Sequence, residues 1–340
     1  MPKVIVAILV LLGVIFPLLF KDPYILHILI SIYIWSILTL GIRIVLLAGH
    51  LNAAQASFMG LGAYGSGVLA LKFGWNFWLC LPAAGIISAV LALGIGYPTL
   101  RIKGAYFVIV TLGLTEVIKH IWMMWTGLFG GPQGLLGIPT PDPIRIFNVA
   151  IIFNSKVPFY YLALFLFLLT VLVMHRFDLS RVGLILKAIP QSDLLAECVG
   201  VNIMKYKLTA FVVGAFFAGL AGSFWAHYFT YCSPWDFTLG TSFTMLLYVV
   251  MGGIGSVAGP IIGSALMLIL DEVLRPFKEY MPIVLGGVLI LVLVFVPGGI
   301  LSIPAKIRQI LKRMPQSEKQ YATPSDSRPD QIFRGPGCGQ

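Results

Sequence analysis

Long apolar stretches separated by short polar ones run through most of the chain. Stretches such as 4–20, 24–47 and 77–97 approach the roughly 20 residues that a helix needs to cross a bilayer. This length rule predicts ten transmembrane helices, at about 4–20, 24–47, 50–71, 77–97, 104–124, 157–174, 207–229, 239–255, 259–274 and 282–301. The stretches do not alternate polar and apolar residues, as the strands of a membrane β-barrel would. The pattern therefore predicts an all-α polytopic membrane protein.

Composition agrees with a membrane location. Of the 340 residues, 59% are hydrophobic and only 11% are charged, and the mean hydropathy is +0.95. So few polar groups could not cover a water-exposed surface. The net charge of +10 raises the question of nucleic-acid binding. However, Lys and Arg are scattered between the apolar stretches rather than gathered on one domain, so we expect lipid around the chain and no nucleic acid.

The basic residues are distributed unevenly between the two sides of the predicted membrane. With ten spans both termini fall on one side, and 16 of the 23 Lys and Arg residues fall there too. The positive-inside rule then makes both termini and the 175–206 loop cytoplasmic, and the 125–156 and 230–238 loops external. Span eight is short, so 252–259 could instead re-enter the membrane from one side.

Two regions follow from this layout. Residues 1–305 are predicted to form the transmembrane domain, which includes the cytoplasmic loop 175–206. Residues 306–340 are rich in Pro, Ser, Gln and interspersed charges and have no apolar period. We expect them to form a disordered cytoplasmic tail.

Glycines cluster in the third span of each half of the predicted domain. Two sets of five spans would be inverted relative to each other if they are related, because five is odd. Gly-interrupted segments at corresponding places in two halves point to a transport pathway. The residues concerned are Gly60, Gly62, Gly65, Gly252, Gly253 and Gly255. Close helix packing is the alternative, because small residues let helix backbones approach in lipid.

Catalytic and metal-binding motifs are absent from the sequence. The G-x-G-x-x-G match at 60–65 lacks the preceding strand and following acid of a dinucleotide site, and no Walker A, H-E-x-x-H or G-x-S-x-G motif occurs. Glu116 lies well inside a predicted span, with Lys119 and His120 on the same helical face. This spacing favours a local ion pair over a proton relay. We expect no enzyme activity, no cofactor and no metal, and any ATP must be hydrolysed by another chain.

A short amphipathic segment lies in the predicted cytoplasmic loop. Ser192 can cap a helix that Gly200 stops, and Asp193 suits its first turn. One face is apolar with acidic residues beside it; the segment comprises Ser192, Asp193, Leu194, Leu195, Glu197, Cys198, Val199 and Gly200. Two helical turns are unstable alone. We therefore expect this helix either to dock into a groove on a partner protein or to pack under the membrane.

Several motifs between about 40 and 302 occur in an order typical of one family. They include Gly-His-Leu-Asn at 49–52, Phe-Met-Gly-Leu-Gly-Ala-Tyr at 58–64, Leu-Arg-Ile-Lys-Gly-Ala-Tyr at 100–106, Gly-Gly-Pro-Gln-Gly-Leu at 130–135, Ala-Gly-Leu-Ala-Gly at 218–222 and Gly-Gly-Ile-Gly-Ser at 252–256. In these motifs the chain resembles the permeases of branched-chain amino-acid ABC importers, the LivM/LivH type, and LivM most of all. Any one motif would be a weak signal, whereas their order is a strong one.

The resemblance implies a permease subunit of the bacterial inner membrane that imports branched-chain amino acids. It implies as partners a second, LivH-like permease subunit, two cytoplasmic ATP-binding subunits and a periplasmic solute-binding protein. It also implies that residues 187–200 form the coupling helix that docks on the ATPase. Pro190 stands where an Arg is usual in the family. Proline is tolerated at a helix start, so we expect coupling to survive.

Four residues of the first motif bear on the identity of the solute. His50, Asn52, Ala54 and Gln55 replace the usual Gln, Ser, Gly and His of the first motif, which leaves urea, amides or other small solutes as alternatives. An autonomous ion-coupled carrier or channel is an alternative from another class. The scarcity of membrane-buried charge argues against it. A membrane-embedded enzyme lacks a convergent set of nucleophile, acid and metal ligands.

Overall fold

The structure, a computed structural model, describes residues 22–102, 104–146, 149–151, 153, 155–198 and 200–277, together with the isolated positions 13, 16, 17, 284, 286, 287, 299 and 300. The first and tenth predicted spans lie mostly outside the described residues, and the 306–340 tail lies entirely outside them.

Eight long helices form the described part of the membrane domain. They are α1 (Pro23–Leu47), α2 (Gln55–Phe73), α3 (Phe77–Thr99), α4 (Ala105–Met124), α6 (Lys156–Leu179), α9 (Ile203–Phe229), α10 (Leu239–Gly252) and α11 (Ala258–Leu274). Three shorter helices lie between them, namely α5 (Thr126–Phe129), α7 (Arg181–Ala188) and α8 (Asp193–Cys198). Among the described residues, α1, α3, α4, α6 and α9 are long and apolar enough to cross a bilayer. This confirms an all-α polytopic membrane protein, whereas the count of ten spans and the inverted halves stay predictions.

The chain connections fall at two ends of the bundle. The basic end, as we call it, carries the 100–104 turn, the 180–202 connection and the 253–257 turn. The opposite loop end carries residues 125–155 and 230–238. There β1 (Leu135–Leu136) pairs with β4 (Tyr231–Cys232), and β2 (Ile144–Ile146) pairs with β3 (Val149–Ile151), both antiparallel. The sequence does not indicate these strands, because strands of two or three residues are too short to show a period.

The cysteine of β4 is held inside the loop end. Cys232 is fully buried, and burial raises the pKa of its thiol to about 12. The thiol therefore stays protonated at neutral pH and is a weak nucleophile.

Helix α9 lies at the centre and packs against α1, α2 and α3. Its glycines allow this closeness. A Cβ atom on Gly222 would lie 1.8 Å from the carbonyl oxygen of Met59, and one on Gly214 would lie 2.6 Å from that of Gly41. Apolar burial drives no helix association in lipid, so close backbone packing is a main source of cohesion. Gly214 and Gly222 thus act as contact points between helix backbones.

Two span boundaries differ from the prediction. The span predicted at 50–71 begins only at Gln55, because residues 48–54 are not helical. The span predicted at 239–255 ends at Gly252, because Gly253 adopts φ +98°, outside the helical region. At 14 residues, α10 is about 21 Å long. The turn after it lies at the basic end, beside the last turns of α1.

Replacing Gly222 with Val tests the central packing. The new side chain would overlap the α2 backbone, and we expect the free energy of unfolding in detergent to fall by at least ~3 kcal/mol. Gly94→Val is the matched control, since a Cβ at Gly94 meets nothing within 4 Å; it should stay within about 0.5 kcal/mol of wild type. Equal unfolding curves for the two variants would contradict this packing.

Candidate functional site

The irregular segment 48–54, which we call the central segment, joins α1 to α2 inside the bundle. Gln55, the first residue of α2, donates from Nε2 to the carbonyl oxygens of Leu38 (3.4 Å) and Gly214 (3.3 Å). Leu38 lies about 13 Å inside α1, counted at 1.5 Å per residue from the helix end at Leu47. Helix α2 therefore begins near the middle of a hydrocarbon core that is roughly 30 Å thick.

Hydroxyl groups from two other helices bind the backbone of the central segment and the first turn of α2. The Ala53 N–H donates to Thr111 Oγ1 (3.4 Å), and the Ala53 carbonyl accepts from Thr115 Oγ1 (3.2 Å), both on α4. The Ala56 N–H donates to Ser242 Oγ of α10 (3.1 Å). Irregular backbone at membrane depth is tolerated only inside protein or along a water-filled cavity. The helices α4 and α10 thus supply the hydrogen-bond partners that lipid cannot offer to these backbone groups.

The four positions that depart from the first family motif all belong to this site. Asn52 accepts from the Ala54 N–H (2.9 Å) and donates to Gln55 Oε1 (3.1 Å). The His50 ring packs on Phe107, with 4.8 Å between ring centroids. His50, Asn52, Ala54 and Gln55 are all buried. Their side chains therefore shape the interior of the bundle rather than its surface.

Two hydroxyls of α2 next to this segment are buried without a partner. Ser57 Oγ and Tyr64 Oη have no hydrogen-bond partner among the described residues. Seven residues separate them, so they lie on nearly the same helical face. A buried hydroxyl without a hydrogen-bond partner is costly.

The glycines predicted in α2 lie at helix contacts. A Cβ on Gly60 would lie 2.3 Å from Trp122 Cη2 of α4, and one on Gly62 would lie 2.1 Å from the Gly219 carbonyl oxygen of α9. Gly65 meets only a side chain, at 3.3 Å. Larger residues at 60 or 62 would therefore disturb packing before they tested a pathway.

The second group of predicted glycines lies elsewhere, at the basic end. A Cβ on Gly252 would lie 1.9 Å from the Gly259 carbonyl oxygen, whereas one on Gly255 would meet nothing within 4 Å. Gly253 takes the positive φ that ends α10. The structure does not bring the two glycine groups together, since Gly60 packs near the loop end of α4.

A buried ion pair at the basic end was not predicted from the sequence. Arg43 of α1 binds Asp178 of α6 through two hydrogen bonds, Nη2–Oδ2 at 2.7 Å and Nη1–Oδ1 at 3.2 Å. Its Nε donates to the Ile254 carbonyl oxygen (2.8 Å). The side chains of Arg43 and Asp178 are only 1% and 11% exposed. The sequence does contain a sign of this pair. Arg43 is the one Lys or Arg in its apolar span, and a buried guanidinium needs an acidic partner.

The segment predicted to couple to an ATPase starts beside this pair. Lys187 Nζ lies 3.8 Å from Asp178 Oδ2. Ile189 is buried, and a Cβ on Gly49 of the central segment would lie 3.3 Å from Pro190 Cγ. The segment therefore contacts both the ion pair and the central segment.

The short helix α8 follows, and Gly200 stops it as predicted. The Gly200 N–H donates to the Glu197 carbonyl (2.9 Å), and the Val201 N–H donates to the Ala196 carbonyl (3.1 Å). With φ +77° at Gly200, this pattern is a Schellman motif.

Part of the predicted α8 surface is described. Glu197 and Cys198 are exposed, and the Ser192 carbonyl accepts from the Ala196 N–H at 3.3 Å. Val199 lies outside the described residues. Of Asp193, Leu194 and Leu195 only the backbone is described. The role of α8 as a docking helix thus remains a prediction.

Glu116 forms the local ion pair expected from its spacing. Its Oε2 lies 2.5 Å from Lys119 Nζ, one turn further along α4. The ammonium also lies 5.8 Å from the centre of the Trp235 ring at the loop end. Lys119 thus points toward the loop end, as long basic side chains in membranes do.

Comparison with known proteins identifies relatives over most of the chain. The family profile described as branched-chain amino acid transport system / permease component matches residues 24–294. The chain is 34% identical over 287 residues to the high-affinity branched-chain amino acid transport system permease protein LivM of Salmonella typhimurium, covering 79% of this chain and 68% of the relative. It is 33% identical, at the same coverage, to LivM of Escherichia coli. It is 25% identical over 295 residues to LivH of Escherichia coli, covering 79% and 92%. No solved structure matches significantly.

Proposed function

This chain belongs to the family of branched-chain amino acid transport system permease components, and we propose that it is the LivM-type permease subunit of an ATP-driven importer of branched-chain amino acids. The family match over 24–294 carries the proposal. The relatives of 34% and 33% identity are both named as LivM permeases of such systems. The polytopic helical bundle suits that role, and neither urea or amide import nor an autonomous carrier has comparable support.

The partners of this subunit follow from the same assignment. The LivM and LivH proteins of Salmonella typhimurium are both named as permeases of a high-affinity system, which supports a second, LivH-like subunit beside this chain. The sequence has no Walker A motif, so separate ATP-binding subunits must supply the energy. A periplasmic binding protein would deliver the solute. The chain itself performs no catalysis in this scheme.

Residues 187–200 are proposed to bind the ATPase as a coupling helix. Buried Leu186 and Ile189 anchor the segment to the bundle, while Glu197 and Cys198 of α8 are exposed. A helix of six residues does not persist alone in water. Helix α8 is therefore held in place by this anchor on one side, and its other side is available to bind a partner.

The solute is proposed to pass beside the central segment, between two inverted halves. Helix α2 begins inside the bundle after residues 48–54, which enter from the basic end. Helix α10 follows residues 233–238, which enter from the loop end and bury Phe237. The hydrogen bond from Ala56 to Ser242 joins the first turns of the two helices. Interrupted helices in corresponding places are typical of transporter repeats. The six glycines at 60, 62, 65, 252, 253 and 255 would permit the close packing around this path.

The basic end is proposed to face the cytoplasm in the bacterial inner membrane. The ten-span layout predicted from the sequence assigns 16 of the 23 Lys and Arg residues to that side, which the positive-inside rule makes cytoplasmic. Both termini and the coupling segment would then be cytoplasmic.

Uptake assays test the function directly. The chain, co-reconstituted with its permease, ATPase and binding-protein partners, should accumulate labelled leucine, isoleucine and valine only when ATP is present. Replacing the P-loop Lys of the ATPase subunits provides the control, because it removes the energy source and not the pathway. Uptake of urea or an amide in place of these amino acids would contradict the assigned solute. Accumulation without ATP would contradict the transporter class.

Single-cysteine labelling tests the orientation. In a cysteine-free background, Thr140→Cys at the exposed loop end should react with a membrane-impermeant maleimide added from the periplasm. Gln191→Cys, exposed at the basic end, should react only after the membrane is opened. The reverse pattern would place the basic end outside.

Leu195→Asp tests the coupling helix. A carboxylate on the apolar face of α8 would be desolvated in the ATPase groove, at a cost of several kcal/mol. We expect a permease that inserts normally, retains at least tenfold less ATPase on purification and no longer supports uptake. Leu136→Asp, the same change at an exposed residue of the loop end, should retain the ATPase. Full ATPase retention by Leu195→Asp would exclude α8 as the docking helix.

A further inference from the structure

The guanidinium of Arg43 holds three parts of the chain together at the basic end. It extends from α1, binds both carboxylate oxygens of Asp178 at the end of α6, and binds the carbonyl oxygen of Ile254 in the turn between α10 and α11. A bidentate guanidinium–carboxylate pair is directional as well as strong. Buried ionisable residues in membrane proteins are rare and are by default candidates for function.

Asp178 is fixed to the coupling segment by a tight corner. Helix α6 ends at Leu179, and Ser180 Oγ accepts from the Gly183 N–H (3.3 Å) to start α7. A Cβ on Gly183 would lie 2.3 Å from the Phe177 carbonyl oxygen, so the two helices meet closely. Lys187, at the start of the coupling segment, lies 3.8 Å from the same carboxylate. A displacement of the coupling segment therefore carries Asp178 with it.

Ile254 is fixed in the same way to α10 and α11. Gly252 and Gly259 bring the backbones of these helices into contact, since a Cβ on Gly252 would lie 1.9 Å from the Gly259 carbonyl oxygen. The far part of α10 holds Ser242, whose hydroxyl binds the Ala56 N–H in the first turn of α2. Movement of this turn therefore reaches the first turn of α2, which directly follows the central segment, through a single helix.

We propose that Arg43 and Asp178 are positioning residues for energy coupling, which join the coupling segment 187–200 to the α10–α11 turn so that the two move as one body during the ATP cycle. The proposal rests on the proposed function, because it requires an ATPase that displaces the coupling segment. Loss of the carboxylate leaves Arg43 buried without its counter-charge. The α10–α11 turn is then no longer attached to the coupling segment, which the ATPase displaces in this scheme.

Asp178→Asn in the reconstituted complex tests this link. We expect ATP hydrolysis within about twofold of wild type, with uptake of the labelled amino acid at least tenfold lower, so that the ATP consumed per solute rises by the same factor. Glu272→Gln, which removes a carboxylate from the ion pair with Arg275 at the loop end, is the matched control and should leave the ratio unchanged. An unchanged ratio in Asp178→Asn, or a complex that fails to assemble, would reduce Arg43 and Asp178 to a structural role and overturn the proposal.

A distance measurement gives an answer that does not depend on the solute. The four native cysteines are first removed. Spin labels are then attached to Gln191→Cys and Ser256→Cys, which are both at exposed positions. In otherwise wild-type complex the distance between them should be the same in the nucleotide-free and ATP-trapped states, and with Asp178→Asn it should differ between the states. If the distance changes between the two states as much in the otherwise wild-type complex as in Asp178→Asn, the link is overturned, even in a complex that transports a different solute. Failure of amino-acid uptake with an unchanged distance would instead overturn only the proposed solute.

Discussion

The interior of a bilayer offers no water to hydrogen-bond, and this constraint determines how the chain may depart from helix. Its clearest departure is the central segment at 48–54, where the backbone leaves α1 and resumes as α2 near the middle of the bundle. Thr111, Thr115 and Ser242 bind the exposed backbone groups there. A break in a membrane helix is therefore a property of three helices and not of one. The break keeps its hydrogen bonds only while α4 and α10 remain in place. A movement of either helix would therefore change the hydrogen bonds at the break.

The same solvent explains the use of glycine. Association of apolar helices gains little from the hydrophobic effect in lipid, so α9 relies on backbone contact at Gly214 and Gly222. The α2 and α3 backbones approach α9 just as closely at Gly219, where an added Cβ would lie 2.7 Å from the Ala84 carbonyl oxygen of α3, and at Gly62 of α2, where one would lie 2.1 Å from the Gly219 carbonyl oxygen. Helices α4 and α10 pack less against this centre than α1, α2 and α3 do; the outer face of α4 is largely exposed, and α10 is only 14 residues long.

The sequence was informative where the physics is local. Apolar length predicted the five bilayer-length helices found among the described residues. Gly200 predicted the end of α8, and the spacing of Glu116 and Lys119 predicted their ion pair, because both depend on residues within one or two turns. The start of α2 was misplaced because residues 50–54 contain no proline and no charged residue that would exclude them from a span by composition alone. The partnership of Arg43 with Asp178 joins residues 135 positions apart, and no periodicity reports such a pair. The strands at the loop end were missed because they are too short for any pattern.

The chemistry of the central segment bears on how a permease of this family can move its solute. Among the described residues, the groups that surround the segment are hydroxyls, amides and the imidazole of His50, and Asn52 and Gln55 already bind each other and the backbone. An amino acid at neutral pH carries both a carboxylate and an ammonium. Hydroxyls and amides both donate and accept, so they can replace water around either group without presenting a fixed counter-charge. A fixed charge would bind one end of the zwitterion strongly and slow its release. Neutral polar groups beside the proposed path are therefore suited to passage of the solute rather than to its tight binding.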